Sequence, residues 1–171
     1  MFSIIIPSLN NLNYLKLCVD SLKKNSSFNH EIIIHVNIGA DGTIEYLKKN
    51  NIQFTHTTYN AGIPEGVNKA AKIAQTKFIV YAHDDFYFLP GWDKAFLNEI
   101  KLMPDNLYYF SGTMIQNGQV NLDCGDNLTN FNENKFDEII LDTVNKKLVK
   151  MKLNIQLENL TQYIKFWHTI W

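Results

Sequence analysis

The sequence predicts an α/β fold in which a mostly parallel central sheet is covered by helices on both faces. Strand-like and helix-like patterns alternate along the first half of the chain, as expected for consecutive βαβ units. The strand-like segments are short, continuous runs rich in β-branched residues, which is typical of parallel strands buried on both faces. The chain has 171 residues, 46% of them hydrophobic and 19% charged, which is enough for one sizeable core. We therefore expect a single domain over residues 1–171.

The predicted elements of the first hundred residues alternate between strand and helix. In chain order they are a strand at 2–6, a helix around 15–22, a strand at 31–36, a short helix at 43–49, a strand at 52–57, a helix around 67–74, a buried strand at 78–82 and a helix around 92–100. Apolar residues three and four positions apart indicate the helices. Because ligands bind beyond the carboxyl ends of parallel strands, functional residues are expected just after residues 6, 36 and 82.

The second half of the chain carries weaker patterns. Residues 108–114 have the composition of a strand, and the Asn-Gly pair within residues 115–120 predicts a surface hairpin. Residues 127–134 are asparagine-rich and loop-like, and helices are predicted at about 136–148 and 157–167. We expect the core sheet to end near residue 114. The aromatic C-terminal residues suggest a truncated chain.

Charge and cysteine content narrow the classes of function. The 16 basic and 17 acidic residues are scattered and give a net charge of -1, which disfavours nucleic acid and anionic membranes as partners. Every basic residue is a lysine, so a bound phosphate would need a metal ion, lysine or backbone N–H groups. Cys18 and Cys124 lack metal-ligand spacing and suit two unpaired thiols in a reducing compartment. With no apolar run of membrane-spanning length, we expect a cytoplasmic protein whose membrane association, if any, is peripheral.

The strongest chemical signal is a pair of acids at the end of the fourth predicted strand. Asp84 and Asp85 lie where charge is costly unless a cation or hydrogen-bond donors neutralise it. On an extended chain, His83 and Asp85 would share one face while Asp84 faces the other way. Mg²⁺ prefers a few carboxylates together with phosphate oxygens, and Mn²⁺ also accepts an imidazole. The alternative is that the two acids begin a turn and cap the next helix.

Two more loops lie at predicted carboxyl ends of strands. Pro7, Ser8 and Asn10 follow the first strand and could contact a nucleotide, although a proline-shaped turn with an asparagine helix cap is the simpler interpretation. Asn37 follows the second strand, and its side-chain amide can both accept and donate hydrogen bonds to a base edge. An Asp-Gly turn before a short helix is the simpler interpretation there.

Five segments, taken in order, resemble the succession of motifs in glycosyltransferase family 2. They are Ser3-Ile4-Ile5-Ile6-Pro7-Ser8-Leu9-Asn10, Asp41-Gly42-Thr43, Asn60-Ala61-Gly62, Asn68-Lys69-Ala70-Ala71 and Ala82-His83-Asp84-Asp85. The resemblance depends on their order and spacing and covers about residues 2–115. It implies a Rossmann-like, A-type glycosyltransferase fold. Residues 1–115 would then be the nucleotide-sugar-binding half, and residues 116–171 the start of the acceptor-side region.

The resemblance also implies a reaction and a set of site residues. A sugar would pass from a nucleoside-diphosphate donor to a hydroxyl of a glycan or other acceptor, with inversion and with Mn²⁺ or Mg²⁺. Asp85 matches the metal-binding acid of the family's Asp-x-Asp motif, and His83 replaces its usual first acid. The residues implied in nucleotide binding are Pro7, Ser8, Asn10, Asn37, Asn68 and Asp84. Asn37 matches an aspartate that reads the base, and its amide oxygen can accept the imino N–H of uracil, which favours a UDP-sugar.

Several positions depart from the family pattern. Val36 and Asn37 replace a frequent acidic pair, and Val67 stands where an arginine commonly precedes the asparagine. The family's general base lies near a Gly-Gly-Phe-Asp-Glu-like segment, and residues 136–138 (Phe-Asp-Glu) lack the preceding glycines. With the base unassigned, the alternative function is a non-catalytic nucleotide-sugar-binding or scaffold domain. A sugar nucleotidyltransferase is disfavoured because no glycine-rich phosphate loop follows the first strand.

Overall fold

The computed structural model describes residues 1–105, 108–109, 112, 132, 134–135 and 138. The chain divides into two compact units, Met1–Tyr109 and Phe110–Trp171. The described helices and strands of the first unit follow the predicted order. They are β1 (Phe2–Leu9), α1 (Leu12–Asn25), β2 (Glu31–Asn37), α2 (Thr43–Lys49), β3 (Gln53–Thr57), α3 (Gly62–Ala71), β4 (Phe78–Tyr81) and α4 (Trp92–Lys101).

The four strands form one sheet in the order β3-β2-β1-β4. All three pairings are parallel, which confirms the predicted sheet. Leu9 of β1 is paired with Asn37, which is paired in turn with Thr57, so three strands end at the same level. Tyr81 is paired with Ile5, so β4 ends lower along β1 and the segment after it runs beside the end of β1. Loops after all four strands therefore open at the carboxyl edge of the sheet.

Helices pack on both faces of the sheet, as predicted. Successive strand residues point to opposite faces, so Ile4 and Ile6 contribute to one core and Ile5 to the other. The first core contains the buried α1 residues Leu15, Cys18, Val19 and Leu22, with the apolar residues of α4 packed against it. The second core contains Ile33 of β2 and Ala70 of α3. The apolar periodicity seen in the sequence thus marks the buried stripes of α1 and α3.

Helix α3 lies unusually close to β2. A Cβ atom added at Gly66 would be 2.6 Å from Cδ2 of His35, so this approach requires glycine. His35 is fully buried, and its Nδ1 and Nε2 lie 2.8 Å and 3.3 Å from the hydroxyls of Thr55 and Thr57. Burial, followed by the charge of Lys69, lowers the pKa of His35. This neutral imidazole therefore belongs to the packed interior under α3.

Strand β4 differs from the prediction of a buried strand. Ile79 is 50% exposed and Tyr81 is 42% exposed. Both lie on the sheet face that carries α3, because they are paired with Ser3 and Ile5 of β1. Among the described residues α3 packs mainly on β1, β2 and β3, so β4 lies beyond its main contact area. An apolar run predicts a strand but does not predict how far a neighbouring helix reaches.

The second unit is described at few positions. Asn134, Lys135 and Glu138 are helical, and the Lys135 N–H donates to Oδ1 of Asn132 at 3.0 Å. The predicted strand at 108–114, the hairpin at 115–120, the loop at 127–134 and the two later helices lie wholly or largely outside the described residues. Within the described part of the chain, no helix is long and apolar enough to cross a membrane.

Candidate functional site

The paired acids lie in a tight turn directly after β4. The Phe86 N–H donates to the His83 carbonyl at 3.3 Å, which makes Asp84 and Asp85 the central residues of the turn. The alternation predicted for an extended chain therefore stops at His83. Helix α4 begins only at Trp92, so neither acid caps it. Asp85 is exposed and Asp84 is partly exposed.

Helix α1 contacts this turn through a hydrogen bond. The thiol of Cys18 donates to the His83 carbonyl at 3.5 Å. Burial, followed by the charges of Asp84 and Asp85, raises the pKa of Cys18 to about 12. The thiol therefore stays protonated at neutral pH and acts as a donor, as expected of a buried structural cysteine.

The loop after β1 begins inside the strand. Pro7 and Ser8 are still paired with β2, opposite His35 and Val36. Ser8 is 2% exposed, and its hydroxyl has no hydrogen-bond partner in the described part of the chain. Asn10 is exposed, has φ 47, and accepts the Ala40 N–H through Oδ1 at 2.9 Å. The loop after β1 is thereby tied to the loop after β2.

Asp41 holds the same two loops together, a role that the sequence did not reveal. Its Oδ2 accepts the Leu12 N–H at 2.8 Å, and its Oδ1 accepts the Thr43 hydroxyl at 2.7 Å. Burial alone would raise the pKa of the Asp41 carboxyl, but hydrogen bonds from Thr43 and Leu12 outweigh it and lower the pKa. Asp41 is a charged cap that joins the starts of α1 and α2.

Asn37 lies at the carboxyl edge but is only 3% exposed. Its Oδ1 accepts the Ala61 N–H at 2.8 Å, which ties the end of β2 to the start of α3. Burial lowers the pKa of His35, and a side-chain hydrogen bond with Asn37 opposes that shift, so the Asn37 amide also contacts the His35 ring. Asn68 is exposed in the second turn of α3, about 9 Å along the helix from Gly62.

Ile38 follows Asn37 with φ 65, a left-handed conformation that is rare for a β-branched residue. The Gly39 N–H donates to the Asn37 carbonyl at 2.8 Å, closing a γ-turn around Ile38. The Ile38 N–H donates to the Thr57 carbonyl at 2.8 Å, which holds the turn in place. Strained backbone of this kind persists where surrounding contacts fix it, often beside functional sites.

We expect Ile38→Asn to raise the free energy of unfolding by about 1 kcal/mol, because asparagine adopts a left-handed backbone with less strain. Chemical denaturation measures the change. The matched control is Ile73→Asn, because Ile73 has the same 39% exposure without a positive φ. Equal effects of the two substitutions would contradict strain at Ile38.

The donor set of the turn suits a hard divalent cation. No described group donates a hydrogen bond to the side chain of Asp84 or Asp85, and Nδ1 of His83 likewise has no described partner. The described residues contain no cluster of three or more candidate ligands. Mg²⁺ and Mn²⁺ nevertheless bind through one or two carboxylates when phosphate oxygens and water complete the shell. Asp85, with His83, fits such an ion.

Solved structures and protein families provide independent comparisons. TarS from S. aureus, residues 1–349, is 24% identical, with a TM-score of 0.54 over 59% of this chain and 32% of that chain. The mannosyltransferase PcManGT from Pyrobaculum calidifontis, solved with GDP-Man and Mn²⁺, is 18% identical, with a TM-score of 0.50 over 61% of this chain and 32% of that chain. These two share the fold of the present chain, which spans about a third of their length. No curated protein sequence matches it.

The family match covers more of the chain than the structural matches do. The model of glycosyl transferase family 2 matches residues 3–148, which include every strand end described above. That range takes in most of the 171 residues. The chain therefore belongs to glycosyl transferase family 2.

Proposed function

We propose that this chain is the donor-binding part of a glycosyltransferase that moves a sugar from a nucleoside-diphosphate donor, UDP favoured, to an acceptor hydroxyl. Membership of the family supports sugar transfer in general. The observation that carries the proposal is the turn at Asp84 and Asp85, where two carboxylates without described donors lie at the carboxyl edge of a parallel sheet. A divalent cation that also binds the diphosphate would neutralise these two carboxylates.

The nucleotide is proposed to lie across the loops that follow β1 and β2. The buried Ser8 hydroxyl has no hydrogen-bond partner among the described residues and is available to a ligand. The backbone around Pro7 and Asn10 is fixed by contacts with β2 and the loop that follows it. Asn37 is proposed to accept the imino N–H of uracil with its side-chain oxygen. Asp84 and Asn68 are proposed as further nucleotide contacts. Fixed donors and acceptors of this kind orient a ligand without reorganising when it binds.

Mn²⁺ or Mg²⁺ at Asp85 would supply positive charge to the leaving nucleoside diphosphate. Inversion follows if the acceptor hydroxyl attacks the anomeric carbon from the opposite face while a base removes its proton. We assign no described residue to that base. Donor binding is therefore the activity we expect of this chain by itself.

Thermal unfolding with and without Mn²⁺ in the presence of UDP, GDP, CDP or thymidine diphosphate tests the proposal. We expect a Mn²⁺-dependent rise in Tm with UDP, because a ligand at a hundred times its Kd adds about 2.7 kcal/mol. UMP is the control, since it keeps the base but lacks the second phosphate, and it should give no metal-dependent rise. A rise with GDP instead would reassign the base. No rise with any diphosphate would overturn the proposal.

A further inference from the structure

The turn after β4 contains a hydrogen bond that the proposed reaction leaves unexplained. The Tyr81 hydroxyl lies 2.9 Å from Nε2 of His83. Tyr81 ends β4, and the Ala82 N–H still donates to the Ile5 carbonyl at 3.0 Å, so the chain remains extended there. Residues two apart on an extended chain point to the same side. The backbone itself therefore brings the phenol and the imidazole together.

Two neighbouring rings contact the His83 imidazole. The Tyr81 ring centroid lies 5.2 Å away at an interplanar angle of 53°, and the Phe86 centroid lies 5.1 Å away at 35°. With Nε2 bonded to Tyr81, Nδ1 is the ring nitrogen left without a partner in the described part of the chain. The carboxylate of Asp85 lies two residues along in the same turn. Histidines that bind metals usually have their second ring nitrogen engaged in this way, so the arrangement of His83 suits a metal ligand.

We propose that Tyr81 is a positioning residue that holds His83 through Nε2 so that Nδ1 binds the divalent cation at Asp85. This inference rests on the proposed function, because it requires the cation. A metal-bound Nδ1 carries no proton, so Nε2 bears the ring hydrogen and donates it to the Tyr81 oxygen. Histidine ligands commonly donate their second ring N–H to an acceptor that fixes the orientation of the ring.

The substitution of histidine for an acid has a consequence for the choice of ion. Mg²⁺ binds oxygen ligands in a strict octahedron, whereas Mn²⁺ also accepts imidazole nitrogen. An open Nδ1 on the same turn as Asp85 therefore favours Mn²⁺ over Mg²⁺. Tyr81 and His83 together become the specificity determinants of the metal site.

Pulsed EPR of Mn²⁺ bound to the full chain with UDP tests which atom binds the metal. With histidine labelled by ¹⁵N at Nδ1, we expect a directly coordinated ¹⁵N signal that disappears in His83→Asn. The same signal arising from ¹⁵N at Nε2 would overturn the proposed geometry. GDP replaces UDP in the experiment if the nucleotide panel selects guanine.

Metal titration of Tyr81→Phe tests the positioning role. The phenylalanine keeps the ring contact and loses only the hydroxyl, so we expect Kd for Mn²⁺ to rise about tenfold to a hundredfold. Kd for Mg²⁺ and the Tm without metal should stay unchanged. The control is Tyr59→Phe, which removes a hydroxyl bonded to Glu65 at 2.7 Å on α3. A purely structural role would lower Tm and leave the preference between the two ions unchanged.

Failure of this inference is distinguishable from failure of the proposed function. Mn²⁺ binding that Asp85→Ala abolishes would support the donor site. If in that case ¹⁵N at Nδ1 gives no signal of direct coordination and Tyr81→Phe leaves Kd for Mn²⁺ unchanged, the inference is wrong and the donor site stands. If no diphosphate brings Mn²⁺ to the wild-type chain, both are wrong.

Discussion

Replacing Asp85 by asparagine is expected to remove most of the metal-dependent stabilisation by the nucleoside diphosphate. The substitution keeps the size of the side chain but removes the charge that binds the cation. A hundredfold rise in Kd, at a ligand concentration that gives the wild type about 2.7 kcal/mol, would leave about 0.4 kcal/mol. Thermal unfolding with Mn²⁺ and diphosphate measures the difference. Because Asp85 is exposed and accepts no described hydrogen bond, Tm without ligand should stay unchanged.

The matched control for this experiment is Asp20→Asn. Asp20 is an exposed acid on α1, so the substitution makes the same change of charge away from the turn after β4. The wild-type response to metal and nucleotide should be retained. If Asp85→Asn keeps the full response, the cation does not bind at this turn.

The fold could be predicted from the sequence because its signals are local. The spacing of Leu15, Cys18, Val19 and Leu22 fixes the buried stripe of α1, and all four are fully or almost fully buried. The run Ile32-Ile33-Ile34 is too short for a helix and gives a central strand. Alternation of such segments leaves few topologies besides a parallel sheet with helical crossovers.

The details of the site could not be predicted in the same way. For Asp84 and Asp85 the sequence left open an extended chain or the start of a turn, and the hydrogen bond from the Phe86 N–H to the His83 carbonyl selects the turn. Exposure of Tyr81 depends on how far α3 reaches across the sheet, which is a tertiary property. The contact between Tyr81 and His83 could be predicted from the sequence, since residues two apart on a strand share a face.

Capping roles were also hidden in the sequence. Asn37 and Asp41 both follow β2, and either could contact a ligand or the backbone. In the structure the Asn37 oxygen accepts the Ala61 N–H, and the Asp41 carboxylate accepts the Leu12 N–H. Short polar side chains serve both purposes equally well, so only the positions of the donors distinguish them.

A buried carboxylate soon after the paired acids, Asp93, is a polar anchor of the first unit. Asp93, in the first turn of α4, is fully buried. Its Oδ2 accepts the backbone N–H groups of Ser27 at 2.7 Å and Phe28 at 3.0 Å, and Nε2 of His30 at 3.0 Å. The Phe2 N–H donates to Nδ1 of His30 at 3.2 Å, which leaves the hydrogen on Nε2 for Asp93. One carboxylate thus joins α4 to the segment before β2.

We expect Asp93→Ala to lower the free energy of unfolding by about 2–3 kcal/mol, because the His30 N–H and two partly buried backbone N–H groups lose their charged acceptor. Asp93→Asn, which keeps one acceptor oxygen, should cost less and remain folded for urea denaturation. Its Kd for the diphosphate should be unchanged, since residues 27–30 precede β2 and lie at the amino edge of the sheet. A loss below about 1 kcal/mol in both variants would contradict this role.

The same carboxylate should make stability depend on pH in the acid range. Burial alone would raise the pKa of Asp93, but the hydrogen bonds from His30, Ser27 and Phe28 outweigh it and lower the pKa. The unfolded chain, with an ordinary pKa of about 3.9, therefore takes up the proton at a higher pH than the folded chain does. The contribution of Asp93 is complete above that value and is lost as pH falls through the lower pKa of the folded state. Urea denaturation across this range should show that the free energy of unfolding depends less steeply on pH in Asp93→Asn than in the wild type. Equal slopes would mean that Asp93 has the same pKa in the folded and unfolded states.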